Sequence, residues 1–200
     1  MKNAFVIGER IYFRPFEKAD APTLTGFIND PAVRRTLEWH RPMNIHTEEA
    51  WIAEHNKSED ELILGIALKE NDELIGSVGL HKISARDRKA TFGLLIGVKD
   101  EWNKGYGTEA TRLMLRHAFV ELNLNRVALH VYESNPGGVR AYEKAGFVLE
   151  GRLRQCAFRD GRYVDVLCMS VLREEWLQSK VEGRKAKADE RVEFGVLTEV

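Results

Sequence analysis

The stretch that predicts the fold is residues 98–110, VKDEWNKGYGTEA. An apolar run with strand character, residues 90–98, leads into it, and a helical run, residues 108–122, leads out of it. Gly105 and Gly107 lie at this junction, and because neither has a Cβ, the main chain can approach a ligand closely there. Such a turn leaves unpaired backbone N–H groups at the positive end of a helix dipole, an arrangement typical of phosphate binding.

Three kinds of phosphate-binding loop are possible interpretations of this stretch. A Walker A loop is excluded because no lysine follows Gly107. Gly105, Gly107 and Ala110 fit the dinucleotide fingerprint G-x-G-x-x-A, but residues 99–104 separate the strand from the first glycine, whereas a Rossmann strand runs almost directly into it. The third interpretation is the pyrophosphate loop of an acyl-CoA enzyme. A glycine-rich turn that binds nothing is the alternative to all three.

Composition and charge limit the classes of protein that the chain can represent. Its 200 residues predict one domain with a proper core, and a net charge of −1 creates no global field that would attract nucleic acid or an anionic membrane. Cys156 and Cys168, the only cysteines, lack metal-ligand spacing and predict free thiols in a reducing compartment. There is no signal-like apolar segment at the start and no run long enough for a membrane span, so we expect a cytoplasmic protein.

Hydrophobic periodicity predicts an α+β fold (α/β by some conventions), with a mixed, mostly antiparallel central sheet and helices on both faces. The predicted strands are residues 9–16, 61–69, 73–82, 90–98, 126–132, 149–158 and 163–172. Predicted helices begin at caps Asp20 and Thr47 and cover residues 32–37, 108–122 and 139–145. The strand at 90–98 is almost wholly apolar, as expected for burial on both faces, and the next strand should return parallel to it by a right-handed crossover. We expect a domain over residues 1–178 and a charged tail over 179–200.

Four segments carry a resemblance to a known family: GERIYFRPFEKAD, INDPAVRR, FGLLIGVKDEWNKGYGTEA and NPGGVRAYEKAGF. On these motifs, residues 7–176 resemble the GNAT superfamily of acetyl-CoA-dependent N-acetyltransferases. Within it they are similar to the RimJ/RimL branch, which acts on ribosomal-protein N-termini, and to spermidine acetyltransferases. The resemblance implies a sheet that is splayed at its centre, acetyl-CoA as co-substrate and no metal. The loop departs from the family pattern [QR]-x-x-G-x-[GA] at Trp102.

The resemblance also implies which residues hold acetyl-CoA. Loop amides would bind the pyrophosphate, and the end of the preceding strand would bond the pantetheine arm as an added strand would. One strand N–H would also stabilise the oxyanion of the tetrahedral intermediate. The predicted cofactor-binding residues are Leu95, Ile96, Gly97, Asn103, Lys104, Gly105, Tyr106, Gly107, Thr108 and Asn135.

Acyl transfer to an amine also needs a base for the ammonium group and an acid for the departing thiolate. Tyr142 occupies the place of the family's acid, and a phenol keeps its proton at neutral pH. His130 is the predicted base because it interrupts an apolar strand where several peptide N-acetyltransferases carry Glu or His. Glu133, Glu38 and a water chain are reserve bases. The alternatives are a core tyrosine and a strand histidine at a polar edge. Because neither cysteine lies on a motif, we expect direct transfer in a ternary complex.

The acceptor that the sequence favours is a protein or peptide N-terminus. A polyamine site needs clustered carboxylates near the cleft, and residues 34–46, which include an irregular segment at 38–46 expected over the cleft, are not acidic. A polyamine and a small-molecule amine remain open as acceptors. Two other classes also remain: a non-catalytic acyl-CoA-binding module and an NAD-binding oxidoreductase. A homodimer is common among similar proteins.

Overall fold

A single mixed sheet organises the computed structural model, which describes residues 1–181. Its strands are β1 (Val6–Ile7), β2 (Ile11–Arg14), β3 (Leu62–Leu68), β4 (Leu74–Ser84), β5 (Lys89–Ile96), β6 (Arg126–Tyr132), β7 (Val148–Arg159) and β8 (Arg162–Leu172). The order across the sheet is β1-β2-β3-β4-β5-β6-β8-β7. Every neighbouring pair is antiparallel except β5 and β6, which are parallel. The predicted fold class, the parallel crossover and the final hairpin are therefore confirmed.

The helices are α1 (Ala21–Asn29), α2 (Pro31–Arg34), α3 (Ile45–His55), α4 (Tyr106–Arg116) and α5 (Pro136–Ala145). A π-helical turn, His117–Glu121, continues α4, and residues 173–181 are also helical. None of the helices in the described part of the chain has the length and apolar character that a membrane crossing requires. Residues 182–200, most of the predicted charged tail, lie outside the described residues.

The sheet opens between β5 and β6. These strands pair at only three positions, Lys89 with Arg126, Ala90 with Val127 and Thr91 with Ala128. Beyond Thr91, β5 stays paired with β4 as far as Ile96, while β6 stays paired with β8 as far as Tyr132. The two strands therefore diverge toward their C-terminal ends, which leaves one edge of β5 without a neighbour.

Apolar side chains cover both faces of the sheet. The main core lies between the sheet and α4 and α5, and it includes Phe92, Met114 and Leu129. A smaller cluster under α1 and α3 contains Leu24 and Ile52. Because side chains alternate along a strand, successive residues of β5 contribute to opposite faces.

Burial of β5 on both faces, which its apolar sequence predicts, is wrong for half of the strand. Ala90 and Phe92 are buried, but Leu94, Leu95 and Ile96 are only half-buried. The reason is the divergence from β6, which removes the neighbour that would have covered the end of β5. An apolar run here therefore marks a cleft wall and not a sheet interior.

Both predicted helix caps need correction. The side chain of Asn44, not Thr47, caps α3, because Asn44 Oδ1 accepts from the Thr47 N–H at 2.9 Å. Asp20 precedes α1 but does not cap it with its side chain, since its carboxylate binds the buried Arg14 guanidinium at 2.7 Å. The predicted start of α4 at Thr108 is two residues late, because the helix already begins at Tyr106.

Candidate active site

A row of unused backbone donors surrounds the start of α4. The six amides of residues 103–108 donate to no protein acceptor within the described part of the chain. The left-handed conformations of Asn103 (φ 61°) and Gly105 (φ 89°) bend the chain so that it enters the helix with these groups unpaired. The helix dipole adds a partial positive charge at the same point. The chain therefore has, at the predicted place, the donor set that a diphosphate requires.

Glu109 lies in the first turn of α4, where its charge would oppose a bound anion. Its Oε2 accepts from Arg10 Nε at 2.9 Å, and its Oε1 accepts from the Arg10 backbone N–H at 2.9 Å. Arg10 Nη1 also donates to the carbonyl of Lys104 at 2.9 Å. Arg10 thus offsets the carboxylate and ties the start of β2 to the loop, a role that the sequence analysis did not identify.

The free edge of β5 offers backbone groups in a register different from the predicted one. The Gly97 N–H donates to the Ile75 carbonyl at 2.8 Å, so the backbone of Gly97 faces β4. Because backbone groups alternate along a strand, those of Leu95 also face β4, whereas those of Leu94 and Ile96 face the opening. The prediction that the backbone groups of Leu95 and Gly97 face the opening is therefore wrong, and those of Leu94 and Ile96 face it instead. The glycine at 97 has a packing role, since a Cβ there would lie 2.0 Å from the Phe27 ring.

Trp102 replaces the Gln or Arg of the family pattern and has a contact of its own. Its Nε1 donates to the Ile96 carbonyl at 2.8 Å. This carbonyl faces the opening, at the C-terminal end of β5. The indole therefore satisfies the hydrogen-bond acceptor at that end of the free edge. The Leu94 N–H and carbonyl and the Ile96 N–H are the edge groups that remain for a ligand.

A cleft of about 250 Å³ joins the loop to the open edge of β5 and to α5. It is lined by most of the predicted cofactor-binding residues and by the predicted acid, namely Leu95, Ile96, Asn103, Gly105, Tyr106, Gly107, Thr108, Asn135 and Tyr142. Gly97 and Lys104 are not part of this lining. Thr36, just after α2, forms part of the opposite wall. Within the described residues, no group of three or more His, Cys, Asp or Glu side chains is arranged to hold a metal ion.

Tyr142 is buried on α5 with its ring packed among aromatic residues. Its ring meets Phe92 edge to face, with centroids 5.9 Å apart, and it also lies 5.9 Å from Phe147. Burial raises the pKa of Tyr142 to about 12. Its hydroxyl makes no hydrogen bond to another of the described residues. The arrangement is that of a protonated phenol available to the cleft.

His130, the predicted base, does not share this environment. It is exposed on β6 opposite Cys168, and it is not among the residues that line the cleft. The reserve bases do not line the cleft either. Glu133 binds Arg152 at 2.7 Å, and Glu38 is exposed outside the lining. The structure therefore does not bring any of the predicted bases together with Tyr142.

Asn135 has a structural contact besides its place in the cleft. Its Oδ1 accepts from the Gly138 N–H at 3.0 Å, so it caps α5. A Cβ at Gly138 would lie 2.8 Å from Asn135 Nδ2, which explains the glycine where the family usually has Ala or Ser. Asn135 thereby fixes the start of the helix that carries Tyr142.

Two basic residues that sequence analysis missed also line the cleft. Arg140 and Lys144 are exposed one turn apart on α5, and neither forms an ion pair within residues 1–181. The i,i+4 spacing of two cations in the segment after Asn135 is the signal that could have identified them. Their charges suit a further phosphate at the rim of the cleft.

Comparison with known proteins places the chain among acetyltransferases. A family model described as an acetyltransferase (GNAT) domain matches residues 10–148. The uncharacterized N-acetyltransferase p20 of Bacillus licheniformis is 30% identical over 175 residues, which cover 84% of this chain and 96% of p20. The spermidine N(1)-acetyltransferase of Vibrio cholerae is 36% identical over 123 residues, which cover 62% of this chain and 69% of that protein. The crystal structure of the V. cholerae spermidine N-acetyltransferase with CoA and spermine has a TM-score of 0.78 at 28% identity, and the match covers 84% of this chain and 98% of that one.

Proposed function

The chain belongs to the GNAT acetyltransferase family, and we propose that it transfers the acetyl group of acetyl-CoA to a primary amine, with a polyamine as the acceptor. The observation that carries the proposal is the row of six unpaired amides at residues 103–108, beside the open edge of β5. A diphosphate needs such donors, and a pantetheine arm, which contains amide groups, needs such an edge. One molecule, acetyl-CoA, has both parts in the matching order.

Separate parts of the cleft hold separate parts of acetyl-CoA. The amides of the loop bind the pyrophosphate, and the outward-facing groups of Leu94 and Ile96 bond the pantetheine arm. One of these two N–H groups faces the thioester oxygen and stabilises the oxyanion. Arg140 and Lys144 bind the remaining phosphate of the nucleotide.

Tyr142 supplies the proton that the departing thiolate needs. A pKa of about 12 keeps the phenol protonated at neutral pH, so it is an acid in its resting state. Cys156 and Cys168 lie on β7 and β8 and are not part of the cleft lining. No thiol in the cleft is placed to accept the acetyl group, which supports direct transfer in a ternary complex.

Similarity supports a polyamine as the acceptor. The V. cholerae relative acts on spermidine by its name, and its structure is described with spermine as well as CoA. This similarity favours the polyamine over the peptide N-terminus that the sequence alone favours. Glu38, exposed after α2 and without an ion pair among the described residues, is a carboxylate that such a cation can approach.

A peptide N-terminus is the second candidate, favoured by the pairing of nearby carboxylates. Asp30 binds Lys99 at 2.7 Å, and Asp160 pairs with Arg35 at 3.4 Å. Carboxylates that already have basic partners offer less attraction to a polycation. An acceptor with a single amine needs no carboxylate cluster.

The experiment that tests the proposal has a binding part and a transfer part. Thermal-shift measurements with CoA, dephospho-CoA and NAD should show stabilisation by CoA and none by NAD. Thiol release from acetyl-CoA is then followed with spermidine, spermine, peptides with free N-termini and small amines. Release with polyamines supports the proposal, and release with peptides alone selects the second candidate. CoA binding without thiol release from any amine identifies a non-catalytic module, and absence of CoA binding contradicts the proposal.

A further inference from the structure

Glu61 joins two histidines that the proposed reaction has not used. Its Oε1 lies 3.0 Å from His81 Nδ1 on β4, and its Oε2 lies 2.8 Å from His55 Nε2 at the end of α3. The three side chains are about a quarter to a third exposed, so they are shielded yet reachable by solvent. Three residues from three segments of the fold thus form one hydrogen-bonded network.

The hydrogen-bond partners of His55 show how its ring is held. His55 Nδ1 is 2.9 Å from the Trp51 carbonyl, and its Nε2 faces the carboxylate of Glu61. Both partners are hydrogen-bond acceptors, so each ring nitrogen of His55 faces a group that can accept from an N–H. Trp51 also packs on this ring, with centroids 4.2 Å apart. The ring of His55 is therefore held in place and contacts one oxygen of Glu61 through its Nε2.

The other oxygen of Glu61 sets the tautomer of His81. A carboxylate oxygen accepts, so His81 Nδ1 carries the proton and its Nε2 carries a lone pair. No hydrogen bond to His81 Nε2 comes from the rest of the described residues. An imidazole that is oriented by a carboxylate at Nδ1 and has no protein partner at Nε2 among the described residues is the arrangement of a general base.

Two glycines place this nitrogen against β4 and β5, although His81 itself, like His130, is not among the residues that line the cleft. A Cβ at Gly93 would lie 3.0 Å from His81 Nε2, and a Cβ at Gly79 would lie 3.2 Å from it. The imidazole therefore occupies the space above β4 and β5 that side chains at these positions would fill. Gly93 directly precedes Leu94, the first residue whose backbone groups face the opening of the sheet.

His81 and Tyr142 lie on opposite faces of the sheet at the same point of β5. Phe92 contacts the Tyr142 ring, and Gly93, the next residue, lies against His81 on the other face. A thioester held at the free edge beside Leu94 lies between these faces. Its leaving sulfur can meet the acid from one side while an amine approaches from the side of the imidazole.

We propose that His81 is the base that deprotonates the acceptor amine, with Glu61 and His55 as positioning residues; the inference rests on the proposed acetyl transfer. His81 Nε2 takes one proton from the ammonium group, which frees the nitrogen lone pair. That lone pair forms the new C–N bond to the thioester carbon, and the C–S bond breaks when the resulting tetrahedral intermediate collapses. Tyr142 gives its proton to the thiolate and regains one from the acylated nitrogen. His81 then releases its proton to solvent, so acetyl-CoA and the ammonium form become the amide, CoA and one proton.

Two segments contribute the charged groups around His81 and Glu61. Glu61 faces His81 from the start of β3, and His55 faces Glu61 from α3. Glu48, also on α3, is buried and interacts with the charge of His55, and burial raises the pKa of Glu48. Among the described residues, Glu61 is therefore the one charged group in direct contact with His81.

The test compares His81→Gln with His130→Gln and His46→Gln in steady-state kinetics across pH. For His81→Gln we expect a fall of about 100-fold in kcat/KM for the amine, loss of the acidic limb of the rate profile and unchanged binding of acetyl-CoA. His46 is 95% exposed, so His46→Gln is the matched control. If His130→Gln removes the acidic limb and His81→Gln does not, His130 is the base and the inference is overturned.

Glu61→Gln tests the positioning role. Losing the carboxylate destabilises the imidazolium of His81, so the acidic limb should move to lower pH while the maximal rate falls. In ¹⁵N NMR spectra of the wild-type protein, His81 should show a proton on Nδ1, and Glu61→Gln should change that signature. If Glu61→Gln leaves both the pH profile and the tautomer of His81 unchanged, Glu61 has no positioning role.

These outcomes separate the inference from the proposed function. An active wild-type enzyme whose rate and pH profile survive His81→Gln retains the acetyl transfer but rejects His81 as its base. A wild-type protein that binds CoA yet acetylates no amine rejects both the transfer and the base role. The NMR signature reports the Glu61–His81 contact in either case.

Discussion

Arg10 and Glu109 are 99 positions apart in the chain, and their side chains meet with Nε and Oε2 2.9 Å apart. The same guanidinium lies 4.5 Å from the centroid of the Tyr106 ring. The contact joins the start of β2 to the first turn of α4, directly behind the loop amides. Its effect is electrostatic, because it offsets a carboxylate at the helix end where an anion binds.

Arg10→Ala should weaken the binding of acetyl-CoA by about fivefold, equivalent to about 1 kcal/mol, because the charge of Glu109 is then uncompensated. Isothermal titration calorimetry measures this change. The double variant Arg10→Ala/Glu109→Gln should recover most of the affinity, since the repulsive charge is gone. Equal losses in the single and double variants would contradict the electrostatic explanation. The stability of Arg10→Ala should change little, because its side chain is 44% exposed.

The two glycines of the loop should respond differently to alanine. Gly105 has φ +89°, so Gly105→Ala is strained and should cost about 1 kcal/mol of stability, seen as a lower melting temperature. A Cβ at Gly107 would meet Leu94 Cδ2 at 3.5 Å and Ala141 Cβ at 3.9 Å, which are ordinary contacts. Gly107→Ala should therefore keep its melting temperature but bind CoA at least about tenfold more weakly. Undiminished CoA affinity in Gly107→Ala would show that the pyrophosphate does not approach this position.

Tyr142→Phe should lower kcat by about 100-fold with little change in the Kd of acetyl-CoA, because it removes only the proton donor. Stopped-flow thiol release and calorimetry measure the two quantities. Tyr163→Phe is the control, since that side chain is 66% exposed on the final hairpin. Undiminished turnover in Tyr142→Phe would remove the acid role.

The raised pKa of Tyr142 also predicts how stability depends on pH. The phenol ionises at about 12 in the folded protein and at its ordinary value of 10.0 when unfolded. Its contribution to stability is therefore complete below pH 10 and is lost as the pH rises from 10 toward 12. Chemical denaturation across this range should show a smaller loss for Tyr142→Phe than for the wild-type protein. Parallel losses in the two proteins would contradict burial as the cause of the shift.

Arg140→Ala/Lys144→Ala should weaken CoA more than dephospho-CoA, which lacks one phosphate that these cations are proposed to bind. The Kd of dephospho-CoA divided by the Kd of CoA, both measured by calorimetry at fixed salt, should fall by about tenfold. Arg116→Ala, an exposed cation at the end of α4, is the matched control. Equal weakening of both ligands would indicate a general charge effect without recognition of that phosphate.

Asn135→Ala should cost about 1 kcal/mol of stability through the loss of the cap on α5, and Asn135→Ser should restore most of it. If Asn135 also contacts CoA, as the family resemblance implies, both variants should bind CoA more weakly. Full affinity in Asn135→Ser would mean that Asn135 acts only by fixing the helix. Melting temperatures and calorimetry on the same samples distinguish the two roles.

Local signals in the sequence were sufficient to predict most of the strands and the loop that precedes α4. Residues 126–132 were predicted as a strand with the bounds that the structure has. The two glycines and the following helix predicted the unpaired amides, because both features depend on backbone conformation within a few residues. The final hairpin around Asp160 and Gly161 is likewise a matter of local turn chemistry.

Contacts between distant segments decided the rest. The strand at residues 90–98 looks fully buried in sequence, and only its divergence from β6 turns the second half into a cleft wall. Register is also a property of the pair of strands, which is why Leu94 and Ile96, not Leu95 and Gly97, present their backbone groups.

The sequence by itself determined the fold class, the loop of unpaired amides at residues 103–108 and Tyr142 as the acid candidate, because motifs and periodicity act over short stretches of chain. The tertiary structure alone decided that His81 has Glu61 as its carboxylate partner. His81 depends on Glu61 and His55, which lie 20 and 26 positions away in sequence and on two other elements. No pattern within a single strand encodes such a contact, since it forms only when β3, β4 and α3 pack together.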